Sequence, residues 1–307
     1  TLFRSEINFK DEILKLKKER NAIILAHYYQ RSDIQDIADA VGDSYYLSKI
    51  AKDCKEKVIV FCGVKFMAES AKILSPEKTV LLPVIDAGCP MADMADTEGV
   101  EELKKKHPNA KVVCYINSSA EVKAISDVCC TSSNALKIIR NLEEDEIIFL
   151  PDKNLGGYIQ EQVSEKRFIL WNGFCITHKK VKPEELIKAK NLHPDILIAA
   201  HPECEKPVRD AANFIGSTGE IINYVNKSSN KKFLIVTEEG VLHQMKLNDP
   251  NKEFYIPGGG MSCINMKKSY LKDVYNCLLN MEYNIELDED IRQKAYNALS
   301  NMHKLGG

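Results

Sequence analysis

Apolar residues along this chain fall into short runs of strand length, separated by stretches whose apolar positions recur at helical spacing. The runs come in three sets of three. Residues 21–26 (NAIILA), 58–62 (VIVFC) and 79–82 (TVLL) form the first set; 111–116, 147–150 and 168–171 the second; 196–200, 233–236 and 254–256 the third. Helical patterns cover 33–41, 45–52 and 66–74, then 121–126, 135–141 and 155–163, then 208–213 and 220–225, with a short helix after Glu239. The charged N-terminal stretch 1–20 also has a helical pattern. Two last helices, 266–281 and 288–304, are expected to pack back on the first unit.

The three sets keep register. First strands begin at Ile23, Val112 and Ile196, and second strands at Val58, Ile147 and Phe233, which is 35, 35 and 37 residues later. A period this long is too great for a solenoid repeat and points to duplication of a whole α/β unit. Strands alternating with helices predict parallel sheets. Units of this size bury too little surface to be stable singly, so mutual packing around a common axis is expected. The division is 1–87 together with 266–307, then 88–173, then 174–265, with the active site at the junction.

Composition narrows the function. With 44% hydrophobic and 28% charged residues, the 307-residue chain is ordinary for a globular protein. A net charge of −2 offers no basic excess for nucleic acid or an anionic membrane. No apolar run approaches a membrane span, and the N-terminal stretch has no signal-peptide core, so a cytoplasmic location is expected. Ten cysteines are many for such a setting. Cys62, Cys114 and Cys277 sit in apolar patterns and read as core residues.

Cys89, Cys175 and Cys263 are different. Each closes a glycine-containing turn after the last strand of its set, and they stand 86 and 88 residues apart. Three equivalent thiols suggest one shared object. An iron–sulfur cluster, a zinc ion and plain buried thiols all fit the spacing. With three protein ligands a cluster keeps an open iron, a Lewis acid able to hold a substrate carboxylate or hydroxyl. Ligands of open α/β sheets sit beyond the carboxyl ends of the strands, where this chain places His27 and Tyr29, Tyr115 and Asn117, and His201 and Glu203. Ser44, Ser132, Ser217 and Thr218 stand at helix N-termini, which suit phosphate or carboxylate. Ser44, Ser132 and Ser217 precede their cysteines by 45, 43 and 46 residues. His201 and Glu203 together suggest acid–base groups titrating near working pH, with Glu203 the first candidate for proton transfer and with His27 and Tyr29 at carbonyl oxygens.

Ten motifs in order carry a resemblance: AHYYQ, DIADAVGDS, GVKFMAES, GCPMADM, CTSSNA, PDKNLGGY, HPEC with KPVRD, GSTG, TEEG and CINMKK. Together they resemble the quinolinate synthase (NadA) family over nearly the whole chain. The resemblance implies three Rossmann-like α/β units with parallel sheets around a pseudo-threefold axis. It implies a [4Fe-4S] cluster held by Cys89, Cys175 and Cys263. The implied reaction condenses iminoaspartate with dihydroxyacetone phosphate, releasing phosphate and two waters, to give quinolinate for NAD biosynthesis. An aspartate oxidase or dehydrogenase would supply the iminoaspartate. By motif, Tyr29, Tyr115, Asn117, His27, His201, Glu203, Ser44, Ser132, Ser217 and Thr218 map to substrate contacts. Two features depart from the pattern. Cys263 lacks the C-x-x-C-x-x-C array of some members, and Phe174 stands where some relatives have a histidine, leaving His178 a supporting or surface role. An iron–sulfur hydro-lyase acting on a dicarboxylate and a non-catalytic phosphate-binding module are the alternatives.

Overall fold

The computed structural model of the chain describes residues 8–306. The first seven residues of the N-terminal stretch, expected to be helical, lie outside that range, as does Gly307. Helix and strand alternate through three equal rounds. The first runs α1 (Phe9–Glu19), β1 (Ala22–His27), α2 (Ser32–Gln35), β2 (Ala40–Gly42), α3 (Ser44–Asp53), β3 (Val58–Cys62), α4 (Lys65–Leu74) and β4 (Thr79–Leu81). The second runs α5 (Thr97–Lys106), β5 (Lys111–Tyr115), α6 (Ala120–Ala124), β6 (Val128–Cys130), α7 (Ala135–Arg140), β7 (Glu146–Leu150), α8 (Lys153–Gln160) and β8 (Arg167–Leu170). The third runs α9 (Pro183–Leu192), β9 (Leu197–Ala200), α10 (Lys206–Asp210), β10 (Phe214–Ile215), α11 (Thr218–Lys227), β11 (Lys232–Val236), α12 (Val241–Asn248) and β12 (Glu253–Tyr255). Helices α13 (Leu271–Asn280) and α14 (Glu289–Gly306) follow.

Each round makes one four-stranded, all-parallel sheet, and the strand order is the same in all three: β2-β1-β3-β4, β6-β5-β7-β8 and β10-β9-β11-β12. Parallel pairing requires a crossover between strands, and the helices supply it. Strand β3 is buried at every position, as a strand covered on both faces must be.

The sheets hold four strands where the hydrophobic pattern predicts three. The additional strands, β2, β6 and β10, are two or three residues long and lie at sheet edges. The sequence reading assigned their neighbourhoods to helix; those helices end early, at Gln35, Ala124 and Asp210. One device starts each of these strands. Asp39 accepts from the Ile24 N–H at 2.8 Å, Asp127 from Val112 at 2.8 Å and Asn213 from Ile198 at 2.9 Å. The backbone N–H groups of the same three residues donate back to the carbonyls of Ile24, Val112 and Ile198. A short acidic or amide side chain thus pins each edge strand to the central strand.

One apolar core joins the first two sheets, and the third sheet has a cluster on each face. Helix α13 packs on α1 and β3 of the first unit. Helix α14 does otherwise: it lies against α4 of the first unit and against α6, β6 and α7 of the second. Its Ala295, Ala298, Leu299 and Met302 are fully buried there. It is a strut between two units rather than a cover on one. Leu299→Ala should therefore destabilise the chain by about 2–5 kcal/mol. The exposed Lys294→Ala on the same helix should stay within about 0.5 kcal/mol in denaturant unfolding.

Candidate active site and metal centre

The carboxyl ends of the central strands open on one cavity. Of the residues singled out from the sequence, His27, Tyr29, Ser44, Cys89, Tyr115, Asn117, Ser132, Cys175, His201, Glu203, Thr218 and Cys263 line it. Strand pairing sets the equivalences. Tyr115 lies opposite Cys130 as His27 lies opposite Gly42, and the pairing of Ile215 with Ala200 puts Gly216 opposite His201. So His27, Tyr115 and His201 are equivalent, and so are Tyr29, Asn117 and Glu203.

Two residues beyond the edge-strand partners come Ser44, Ser132 and Thr218. Thr218, and not Ser217, is therefore the third member of that set. Ser217 is the N-cap of α11: its Oγ accepts from the Glu220 N–H and its own N–H donates to Glu220 at 2.7 Å. It does not line the cavity. Asp43, its equivalent in the first unit, likewise caps α3. The one-residue correction follows from β10, too short for its register to be read from apolar pattern.

A run of short hydrogen bonds crosses the cavity wall. The Tyr115 hydroxyl donates to Glu203 Oε1 at 2.6 Å, and His178 Nδ1 lies 2.9 Å from Glu203 Oε2 and 3.2 Å from Cys175 Sγ. His178 Nε2 lies 3.1 Å from Thr237 Oγ1, which lies 2.7 Å from the Tyr29 hydroxyl, itself 2.8 Å from Thr218 Oγ1. His178 is buried, not at the surface, and stacks on His201 with ring centres 4.9 Å apart.

The model of the family described as "Quinolinate synthetase A protein" (NadA) matches residues 11–304. The chain is 70% identical to the quinolinate synthase of Clostridium perfringens strain 13 over 301 residues, covering 98% of this chain and all of that one. It is 59% identical to the quinolinate synthase of Clostridioides difficile strain 630, with 96% and 97% covered. The chain belongs to the quinolinate synthase family. As a member it is an enzyme of NAD biosynthesis.

The three cysteines of this family member share one local environment. Burial pushes the Cys89 thiol up to about 12, against the backbone N–H groups of Ala92 and Met91. Burial and Glu203 push Cys175 well up, against the N–H of His178. Burial raises Cys263, against the N–H groups of Met266 and Asn265. In each case the N–H three residues on points at the sulfur. Thiols so placed stay protonated until a cation pulls the proton off, and thiolate is the form that binds metal. Cys263 also repels ionisation of Cys89, and Cys89 that of Cys175. The donor set fits a metal cluster. Buried Asn117 Oδ1, on a residue lining the cavity, has no partner among the described residues.

Acid–base groups near neutrality, expected from His201 and Glu203, are not what the geometry provides. Burial pushes His27 down to about 3, with His201 and Lys267 adding to the effect. Burial likewise brings His201 to about 3, against the pull of Glu203. The Nδ1 atoms of these rings accept from the N–H groups of Tyr29 at 3.1 Å and Glu203 at 3.3 Å, leaving Nε2–H as the donor. His201 Nε2 faces Ser132 Oγ at 3.3 Å. Burial opposes charge on Glu203, but the flanking His201 and His178 imidazoles and the Tyr115 hydroxyl outweigh it and hold the carboxyl well below its usual range. Burial and the Glu203 charge push the Tyr29 and Tyr115 phenols well up.

Sequence reasoning missed Thr237, Glu238 and Lys267, and undervalued His178. Thr237 and Glu238 belong to the TEEG motif and Lys267 to CINMKK, so the motifs marked the place while the contacts depended on the fold.

The neutral histidines make stability depend on pH. Unfolded, each binds a proton below about pH 6.5; folded, His27 and His201 do so only near pH 3. The unfolded state thus holds more protons in that window, so stability is full above pH 6.5 and is lost as pH falls. Each ring contributes up to about 1.4 kcal/mol per pH unit. Denaturant unfolding of the metal-free chain between pH 7 and 5 should show this slope, and His27→Asn, which keeps an acceptor for the Tyr29 N–H, should flatten it.

Proposed function

We propose that this chain condenses iminoaspartate with dihydroxyacetone phosphate to give quinolinate, phosphate and two waters, and that a [4Fe-4S] cluster on Cys89, Cys175 and Cys263 serves the reaction. One observation carries the reading: three cysteines from equivalent connections line one cavity, each sulfur addressed by the N–H three residues on. When bound, the cluster supplies an iron without a fourth protein ligand, a Lewis acid for a carboxylate and an adjacent nitrogen.

The remaining work falls to the chain's own side chains. Ser44 and Thr218 are the first residues of the ten-residue helices α3 and α11, whose free N–H groups and dipoles favour phosphate or carboxylate oxygens. Ser132 and the Asn117 amide complete the anchoring of the oxygens. His27 and His201, neutral and donating through Nε2–H, polarise carbonyl oxygens of the substrates. Tyr29 and Tyr115 stay protonated and orient what they touch. Glu203 is the carboxylate that receives a proton during enolisation and returns it to a departing hydroxyl. Iminoaspartate hydrolyses readily, so an aspartate oxidase or dehydrogenase in the same cytoplasmic compartment is the fitting source. No helix among the described residues is long and apolar enough to cross a membrane.

The test is an anaerobic assay of quinolinate and phosphate with both substrates, alongside iron and sulfide analysis. Equal yields of the two products are expected, with no turnover when the triose phosphate is omitted; robust turnover without it would overturn the reading. Cys89→Ala, Cys175→Ala and Cys263→Ala should each lose cluster and product. Cys277→Ala, at a fully buried position of α13, should keep both. Equal loss from all four would mean the ligand assignment is wrong.

A further inference from the structure

Two motifs of the sequence, TEEG and CINMKK, meet in the structure outside the roles above. Glu238, 1% exposed, accepts from the Cys263 N–H through Oε1 at 3.1 Å and from the Gly240 N–H through Oε2 at 2.7 Å. Lys267 Nζ lies 3.1 Å from Glu238 Oε1 and donates to the Tyr29 carbonyl at 2.6 Å. The second unit repeats the first half of this arrangement. Asp152, fully buried, accepts from the Cys175 N–H through Oδ2 at 3.2 Å, while Oδ1 caps α8.

The two carboxylates occupy the same place in their units. Leu150 pairs with Cys114 as Val236 pairs with Ala200 and Cys62 with Ala26. Two residues beyond those strand ends stand Asp152, Glu238 and, in the first unit, Val64. Val64 has no side-chain acceptor, so the first unit keeps only the backbone contact that all three share: the N–H groups of Lys65, Lys153 and Glu239 donate to the carbonyls of Ala87, Gly173 and Met261, two residues ahead of each cysteine.

We propose that Glu238 and Asp152 are positioning residues for the metal centre: each buried carboxylate grips the backbone N–H of a cysteine ligand and fixes where its sulfur points. Lys267 makes the Glu238 grip a clasp between units, because the same ammonium holds the backbone of Tyr29. The Cys263 corner and the phenol of Tyr29 are thereby set by one contact. The Cys89 corner is held by backbone alone. The inference rests on the reading of Cys175 and Cys263 as metal ligands. Outer partners of this kind typically change metal affinity by about 10–100-fold when removed.

The experiment compares anaerobic, cluster-loaded wild type with Lys267→Met, Lys267→Arg, Glu238→Ala, Asp152→Asn and Cys263→Ser. Iron and sulfide are counted, and the rate of iron loss to a chelator is followed by absorbance. The melting temperature of each metal-free chain is measured in parallel. Lys267→Met and Glu238→Ala should lose iron at least about tenfold faster than wild type, within the range seen for such partners, while the metal-free chains melt within a few degrees of wild type. Lys267→Arg, which keeps the charge and the donors, should restore most of the retention. Asp152→Asn, which keeps one acceptor oxygen, enough for the cap or for the Cys175 N–H but not for both, should fall between. Iron loss at the wild-type rate in Lys267→Met and Glu238→Ala would overturn the clasp. So would faster loss matched by an equal fall in the melting of the metal-free chain, since that is general unfolding. Cys263→Ser separates the two readings: if it retains a full cluster, the ligand assignment fails; if it loses the cluster while the clasp variants do not, only the clasp fails.

Discussion

Three half-buried cysteines share one cavity, and much of the architecture follows from that condition. A thiol in such a place resists ionisation, as the shift of Cys89 to about 12 shows. Holding several together multiplies the cost, because each charge opposes the next. The fold answers with backbone dipoles. The turn after each cysteine points an N–H at the sulfur, so every thiolate, once formed, finds the same partial positive charge. A donor made of backbone requires the cysteine to stand at a fixed place in a tight turn. The turn in turn requires a strand delivered to the cavity mouth. Three sheets with one strand order meet that demand three times.

Repetition supplies the frame, and divergence within it supplies the chemistry. At one set of equivalent positions stand histidine, tyrosine and histidine; two residues on stand tyrosine, asparagine and glutamate. A threefold scaffold with identical side chains would present the same donors in three directions. Here the first unit offers a phenol, the second an amide and the third a carboxylate, so the cavity is asymmetric although its walls are not. The same holds behind the cavity cysteines, where Asp152 and Glu238 have Val64 as their counterpart.

Much of this was legible in the sequence. Runs such as VIVFC and the even spacing of Cys89, Cys175 and Cys263 record burial on both faces of a parallel strand and a repeated unit, and both are properties of composition at a fixed period. Edge strands were illegible because two or three residues cannot show a period, and because Asp39, Asp127 and Asn213 define them through single contacts with the central strands. Helices α5 and α9 were passed over since their exposed faces are heavily charged and few of their residues are buried. The confusion of Ser217 with Thr218 has the same source as the missed β10. His178 was undervalued because its partners, Glu203 and Thr237, lie far along the chain, where only the fold brings them together.

The hydrogen-bonded run through the cavity wall has a direction, and the charge on Glu203 sets it. An ionised carboxylate only accepts, so Tyr115 and His178 Nδ1–H both donate to it. With the imidazole of His178 in its neutral form, Nε2 is then an acceptor, which makes Thr237 its donor. Thr237 must accept from the Tyr29 hydroxyl, and Tyr29 from Thr218. One negative charge therefore orients five other groups drawn from all three units, and no member can reverse without leaving a buried atom unpaired. Apart from Glu203, such a site offers neutral donors held in place. The phenols, kept protonated by burial and by Glu203, fit that role. It also explains why a grip on the Tyr29 backbone by Lys267 has reach: moving that backbone shifts a link that Thr237 joins to His178, beside Cys175.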